Sequence, residues 1–265
     1  MIEINGKKTN FTDADWKVCI ILDACRYDIF RDVYKDIIKD GTLKKTYTNC
    51  SGTFEWMQDN FKDEDCSDII YINPIVMFDK FMPNSTFYKV VNVWEYGWNY
   101  TYGTILPSEM TKTALEVMAK YPEKRFIIHY HQPHPPYLHP DFIGIEGPVD
   151  TPEEILKMKE KKFNILQCIQ GNIRKLIGSN CAWNLLTRLG ITPTDYYGKI
   201  YKRYGKERIV SGYIETLRLT LEEITKIIEN TRGKVVITSD HSKNFDGGQK
   251  DIEKQPVPWM EIDNL

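Results

Sequence analysis

Residues 235–242 read VVITSDHS, a run of apolar and β-branched side chains that passes through Ser239 into an acid beside an imidazole. The first half suits a short strand buried on both faces, as inside a parallel sheet. The second half does not suit packing: at a buried strand tip Asp240 and His241 both lose hydration, and each needs a partner. Working outward from this stretch, the pattern recurs. KVCIILDACRYD, residues 17–28, places Asp23 directly after Ile20, Ile21 and Leu22, and the apolar run at 125–130 leads into HYHQPHPPYLHPD, residues 129–141. Three strand-like runs therefore end in groups that ionise or bind metals.

Further strand-like runs lie at 68–72 and 89–93, and the run carrying Asp240 spans 234–239. Helical patterns separate several of them. Residues 26–39 read as a helix closed by Gly41, and 108–120 as another with Ser108 as N-cap after Pro107. In 213–230 the side chains Ile214, Leu217, Leu221, Ile224, Ile227 and Ile228 share one helical face, with Gly233 placed to end the helix. This alternation predicts an α/β fold: a doubly wound, mostly parallel sheet flanked by helices, forming a single domain over 1–265. In such sheets ligands bind beyond the carboxyl ends of the strands, where Asp23, the histidines and the Asp240–His241 pair are expected to meet.

Residues 152–208 interrupt the alternation. A capping box of Thr151, Pro152 and Glu154 opens a helical insertion that carries twelve Lys and Arg against five Asp and Glu, a local charge of +7 in a chain of net charge −2. Two readings stand for it, a lid over an anionic substrate and a solvated charged surface.

The 265 residues are 42% hydrophobic and 27% charged, ordinary globular values, and a net charge of −2 gives no general reason to expect nucleic acid. The first residues lack the apolar core of a signal peptide, and about 20 consecutive apolar residues occur nowhere, so neither a signal peptide nor a membrane span is expected and the chain reads as cytoplasmic. Six cysteines without a CxxC pair suit reduced, buried thiols.

Oxygen and nitrogen ligands from Asp23, Asp240 and His241 suit a divalent cation, zinc or manganese first and calcium or magnesium next. A cation would also offset the cost of burying two carboxylates together. The plainer alternative makes Asp240 a turn cap and His241 a surface residue.

The segments IILDACRYD, TNCSGTFEW, HQPHPPY and VVITSDHS, in this order and spacing, resemble the alkaline phosphatase superfamily and look most like its compact sulfatase-like members. KQPVPWMEI resembles the segment in which such chains resume a strand. The resemblance runs from about residue 17 to 262, apart from the insertion. It implies a metal-activated nucleophile that attacks phosphorus or sulfur, forms a covalent intermediate and is released by water. Thr53 is the nucleophile it points to, in a loop after the first helix and itself a metal ligand beside Asp23, Asp240 and His241, with Ser51 as second choice. His134, in P-H-x-P-Y, corresponds to the residue that touches the anionic group of the substrate. Arg26 could bind the same anion or pair with Asp28. Lys243 and Lys250 stand near the place of a sulfatase lysine, and His139 near that of a second-metal ligand. His129 and His131 are read as alternating on their strand end, one toward the core and one available to the site. No Arg follows Cys50 as it does in sulfatases that modify a Cys or Ser, which favours phosphate esters. Ala24 replaces a second acid after Asp23, and Ser242 replaces a Gly after His241. The expected activity is thus a metal-dependent hydrolase or transferase of phosphate mono- or diesters, acting on a small anionic ester. Sulfate-ester hydrolysis and a degenerate anion- or glycan-binding module are the alternatives.

Overall fold

A run of apolar residues buries both faces of a strand, and the first five residues of β3 (Val18–Asp23) show the result. Val18, Ile20 and Leu22 join one core cluster, while Cys19 and Ile21 join another on the opposite face. The computed structural model describes residues 2–4, 7–9, 11–50, 52–143, 151–157, 196–243, 245 and 255–264, and within these seven strands form one mixed sheet. Their order is β4 (Thr42–Thr48), β11 (Gln255–Asn264), β10 (Gly233–Ser239), β3, β9 (Arg125–Pro133), β5 (Ile69–Asn73) and β6 (Lys89–Asn92). The five from β10 to β6 run parallel, and β11 is antiparallel to both its neighbours. Two small hairpins, β1 (Ile2–Ile4) with β2 (Lys7–Thr9) and β7 (Trp98–Asn99) with β8 (Thr104–Ile105), lie outside the sheet.

Helices cover both faces. Phe30 and Val33 of α1 (Tyr27–Val33), Met110 and Ala114 of α4 (Pro107–Lys120), and Leu217, Leu221, Ile224 and Ile227 of α6 (Tyr196–Glu229) pack on the Ile20 face. Trp56, Met57 and Phe61 of α2 (Thr53–Phe61), with Phe11 and Trp16, pack on the Ile21 face. Two short helices, α3 (Phe78–Phe81) and α5 (Pro152–Lys157), complete the described set. No helix among the described residues is long and apolar enough to cross a membrane.

The α/β fold read from the sequence is the observed one, with local corrections. The helix expected over 26–39 stops at Val33, continues as a 3₁₀ turn over Tyr34–Asp36, and leaves Ile38 to bury itself from a loop. Ser108 is not an N-cap. Pro107, with its fixed φ and missing N–H, takes the first helical position, and Leu106 precedes it without a side-chain cap. Gly233 does not end α6, which stops at Glu229; at φ +106 it opens β10. The capping box is present: Glu154 N–H donates to Thr151 Oγ1 (3.2 Å) and Thr151 N–H to Glu154 Oε2 (2.9 Å). Within the 152–208 insertion, residues 158–195 lie outside the described residues. α6 is broken at Gly205, where φ is +77. Strand β4 has no counterpart in the sequence reading, because TLKKTYT is polar and buries only Thr46 and Thr48.

Gly41 turns the chain from α1 into β4 at φ +125, and a Cβ there would stand 2.8 Å from Ile262 Cγ1 and 2.9 Å from the Glu261 carbonyl oxygen. Gly41→Ala combines strained backbone with a clash and is expected to destabilise by about 2–3 kcal/mol. Thermal unfolding should show this as a drop of roughly 5–10 °C.

Candidate active site

Side chains alternate along a strand, so the parity of a residue decides which face its tip serves. Asp23 shares the parity of Cys19 and Ile21, Asp240 that of Val236 and Thr238, and His129 and His131 that of Ile127. Cys19, Ile21, Val236 and Ile127 all lie in the core on the α2 side. Register does the rest: Thr238 pairs with Ile21, and Ile21 with His129. The three tips thus converge where α2 begins, and the first residue of α2 is Thr53.

Asp240 is fully buried. Its Oδ1 accepts hydrogen bonds from the Ala24 N–H (3.0 Å) and the His241 N–H (2.7 Å), and its Oδ2 accepts one from Thr53 Oγ1 (2.7 Å). Burial raises its carboxyl to about 6. Asp23 Oδ1 lies 3.3 Å from His241 Nε2, and Asp23 Oδ2 lies 3.9 Å from His131 Nε2. Burial works against ionising Asp23, but the imidazoles of His134, His241 and His131 around it hold its carboxyl below the usual range.

His241 carries the decisive electrostatic detail. Its Nδ1 lies 3.2 Å from the Ser242 carbonyl oxygen, which can only accept, so Nδ1 bears a proton. Nε2 then faces Asp23 Oδ1 at 3.3 Å and Asp240 Oδ2 at 3.7 Å. A bare nitrogen lone pair between two carboxylates is repulsive; the position demands a proton or a metal cation. Burial opposes the charge, yet the Asp240 and Asp23 carboxylates prevail and raise His241 to about 9.

Two imidazoles join from β9. His129 is buried, lowered to about 4 by burial, and its Nδ1 lies 2.6 Å from the Tyr71 hydroxyl. One ligand atom each from Asp23, His129 and Asp240 lie within 4.8 Å of one another, and so do those of Asp23, His131 and His134. His131 and His134 stack, with ring centroids 5.2 Å apart. The expectation that His129 and His131 face opposite ways is therefore corrected. Residues two apart on a strand share a face, and buried Tyr130 takes the other. The signal was available in the sequence as the odd-numbered series from Ile127.

The other sequence-derived candidates separate clearly. Thr53 stands at the first turn of α2, not in a loop, where the helix N-terminus favours negative charge. His134 Nδ1 lies 2.7 Å from the Pro135 carbonyl oxygen, which fixes the proton on Nδ1 and leaves Nε2 with its lone pair; burial lowers this imidazole to about 3. Lys243 is close enough to His134 to disfavour its protonation. The Arg26 fork is engaged by Asp28, with Nε–Oδ1 at 2.9 Å and Nη2–Oδ2 at 2.6 Å. His139 belongs to a different cluster, where its Nδ1 lies 2.7 Å from Arg208 Nη2. Burial raises the Cys50 thiol to about 11, which makes it a poor nucleophile. Ser51 and Lys250 lie outside the described residues.

The donor set fits a cation. Among the described residues buried His129 Nε2 has no hydrogen-bond partner and Asp23 Oδ1 has His241 Nε2 at 3.3 Å, and two carboxylates, imidazole nitrogens and a hydroxyl form a mixed oxygen–nitrogen shell of the kind zinc and manganese take.

No family model and no curated protein matches the sequence. Solved structures match the fold. The lipoteichoic acid synthase LtaP from Listeria monocytogenes aligns with a TM-score of 0.52 at 11% identity, over 94% of this chain and 65% of that one. The C-terminal periplasmic domain of EptC from Escherichia coli, in complex with Zn, aligns at 0.53 and 11%, over 97% and 75%. BT1596, a 2-O GAG sulfatase, aligns at 0.53 and 9%, over 95% and 64%. The chain thus spans about two thirds to three quarters of the length of these structures. Its fold is the one these structures share, a sulfatase among them, in keeping with the sulfatase-like resemblance of the sequence motifs.

Removing one carboxylate from this cluster should separate folding from metal uptake. With Mn²⁺ or Zn²⁺ at about 100 times its Kd, wild-type protein should gain roughly 2.7 kcal/mol. Asp23→Asn should lose most of that gain while the metal-free protein unfolds within a few degrees of wild type, as differential scanning calorimetry can read.

Proposed function

We propose that this chain is a metal-dependent hydrolase or transferase of phosphate mono- or diesters, acting through a covalent intermediate on Thr53. The observation that carries this is the Thr53 hydroxyl, 2.7 Å from Asp240 Oδ2 at the head of α2 and beside the Asp23–His241 pair. The hydroxyl proton already has an acceptor. As Thr53 Oγ1 attacks phosphorus, its proton passes to the Asp240 carboxylate, the bond from phosphorus to the leaving oxygen breaks, and that oxygen departs with the electron pair. Water or an acceptor hydroxyl then displaces Thr53 from phosphorus and restores it.

Asp23, Asp240, His241 and Thr53 would hold the cation, with a ring nitrogen of His129 within reach of the same carboxylates. When bound, it lowers the pKa of the attacking hydroxyl and neutralises charge on the ester oxygens. Zinc or manganese fits the donor set first, calcium or magnesium less well. His134 and Lys243 supply the anion-facing side: a substrate oxyanion at His134 Nε2 favours the protonated ring that its burial otherwise disfavours. Arg26, with its fork on Asp28, contributes a guanidinium to substrate only by giving up that pair.

The neighbours' names span synthase and sulfatase, which keeps both hydrolysis and transfer in view. Sulfate-ester chemistry by a modified cysteine is disfavoured by buried Cys50 and the missing Arg. Thr53→Ala is expected to lower turnover of bis-nitrophenyl phosphate by about 10³-fold or more, and Thr53→Ser by far less. Acid quenching of wild type should leave a phosphoryl group on the peptide containing Thr53. Full turnover by Thr53→Ala would remove the nucleophile assignment, and a metal-loaded protein inert on every phosphate and sulfate ester tried would point to the binding module instead.

A further inference from the structure

Among the described residues Ala24 is the one non-glycine residue with a positive φ, +58, a conformation that a Cβ disfavours. It follows directly after Asp23, and something must hold it there. Each backbone N–H of the turn is taken by a side chain. The Ala24 N–H donates to Asp240 Oδ1 (3.0 Å), the Cys25 N–H to Ser239 Oγ (2.8 Å), and the Arg26 N–H to the Tyr213 hydroxyl (2.9 Å). Tyr213 also donates its own proton to the Ala24 carbonyl oxygen at 2.9 Å.

One hydroxyl, on a fully buried ring of α6, therefore bridges both ends of the strained peptide pair. The ring has little freedom to follow a different turn, because it packs edge-on against Phe245 (5.1 Å) and Tyr137 (6.4 Å). Asp240 and Ser239 come from the neighbouring strand, and Tyr213 reaches the turn from the helix layer.

We propose that Tyr213 is a positioning residue for the metal centre: its hydroxyl keeps Ala24 in the left-handed region, so that the Ala24 N–H stays on Asp240 Oδ1 and Asp23 stays opposed to His241. Without the hydroxyl the turn relaxes toward negative φ, and the Ala24 N–H leaves Asp240. The two carboxylates then lose their mutual placement. Glycine at position 24 adopts the same φ without help. The dependence on Tyr213 should therefore vanish when residue 24 lacks a Cβ.

This inference rests on the metal reading of the site, and isothermal titration of Mn²⁺ into metal-free full chain separates the two. Tyr213→Phe is expected to raise the Mn²⁺ Kd about 10-fold, as loss of a supporting hydrogen bond does at metal sites, with kcat at saturating Mn²⁺ within about 3-fold of wild type. Adding Ala24→Gly to that variant is expected to bring Kd back to within about 3-fold of wild type, which loss of general stability would not do. A Tyr213→Phe Kd equal to wild type, or a double variant as weak as the single, overturns the proposal. If Tyr213→Phe does not fold, folding and Mn²⁺ binding by the double variant support it, and a double variant that also fails makes Tyr213 a general core residue and overturns it. A wild-type chain that takes up no Mn²⁺ sinks the metal reading itself and this inference with it.

Discussion

Two carboxylates buried side by side repel each other, and the centre of this molecule is arranged around keeping Asp23 and Asp240 there. His241 is placed between them, and its ring nitrogen meets both within 4 Å. Backbone amides at Ala24 and His241 and the Thr53 hydroxyl take up the Asp240 oxygens. Every one of these partners sits at a strand end or a helix start, so the sheet order and the α2 docking face serve this one electrostatic arrangement. Charge that the protein itself supplies only through an imidazolium can equally be supplied by a divalent ion.

The sheet was legible because its central strands are apolar on both faces. Val18–Leu22, Ile69–Ile72, Phe126–Ile128 and Val235–Ile237 have no polar alternation to confuse them; three of these strands match the sequence expectation to within a residue at each end, and β9 runs three residues further, to Pro133. Strand β4 was not, because its stability comes from pairing with β11 and from contacts such as Lys44 with Glu261, at 2.6 Å, rather than from its own hydrophobicity. Helix starts were misread where two signals competed. At Ser108 a capping hydroxyl and a proline stood side by side, and the proline prevailed because its φ is fixed.

The convergence of Asp23, Asp240 and His241 could be anticipated, since each follows an apolar run and parallel strands deliver their C-terminal tips to one edge. His129 and His131 were harder to see. HYHQPH invites reading each histidine as a separate choice, whereas strand geometry commits the two to one face. Tyr213 carries no local signal at all. It lies 187 residues from the amide it binds, inside an apolar helical stripe where a tyrosine reads as packing. Long-range hydrogen bonds to backbone are invisible to periodicity, which reports burial and not partners.

The reversed direction of β11 has a practical side. Asn264 pairs with Gly233, at the entrance end of β10, whereas Thr238 next to the Ser239–Asp240 tip pairs with Trp259. The chain therefore leaves the sheet at the pole away from the cluster. Whatever is attached at residue 264 would stand a strand's length away from the Asp23–Asp240 cluster.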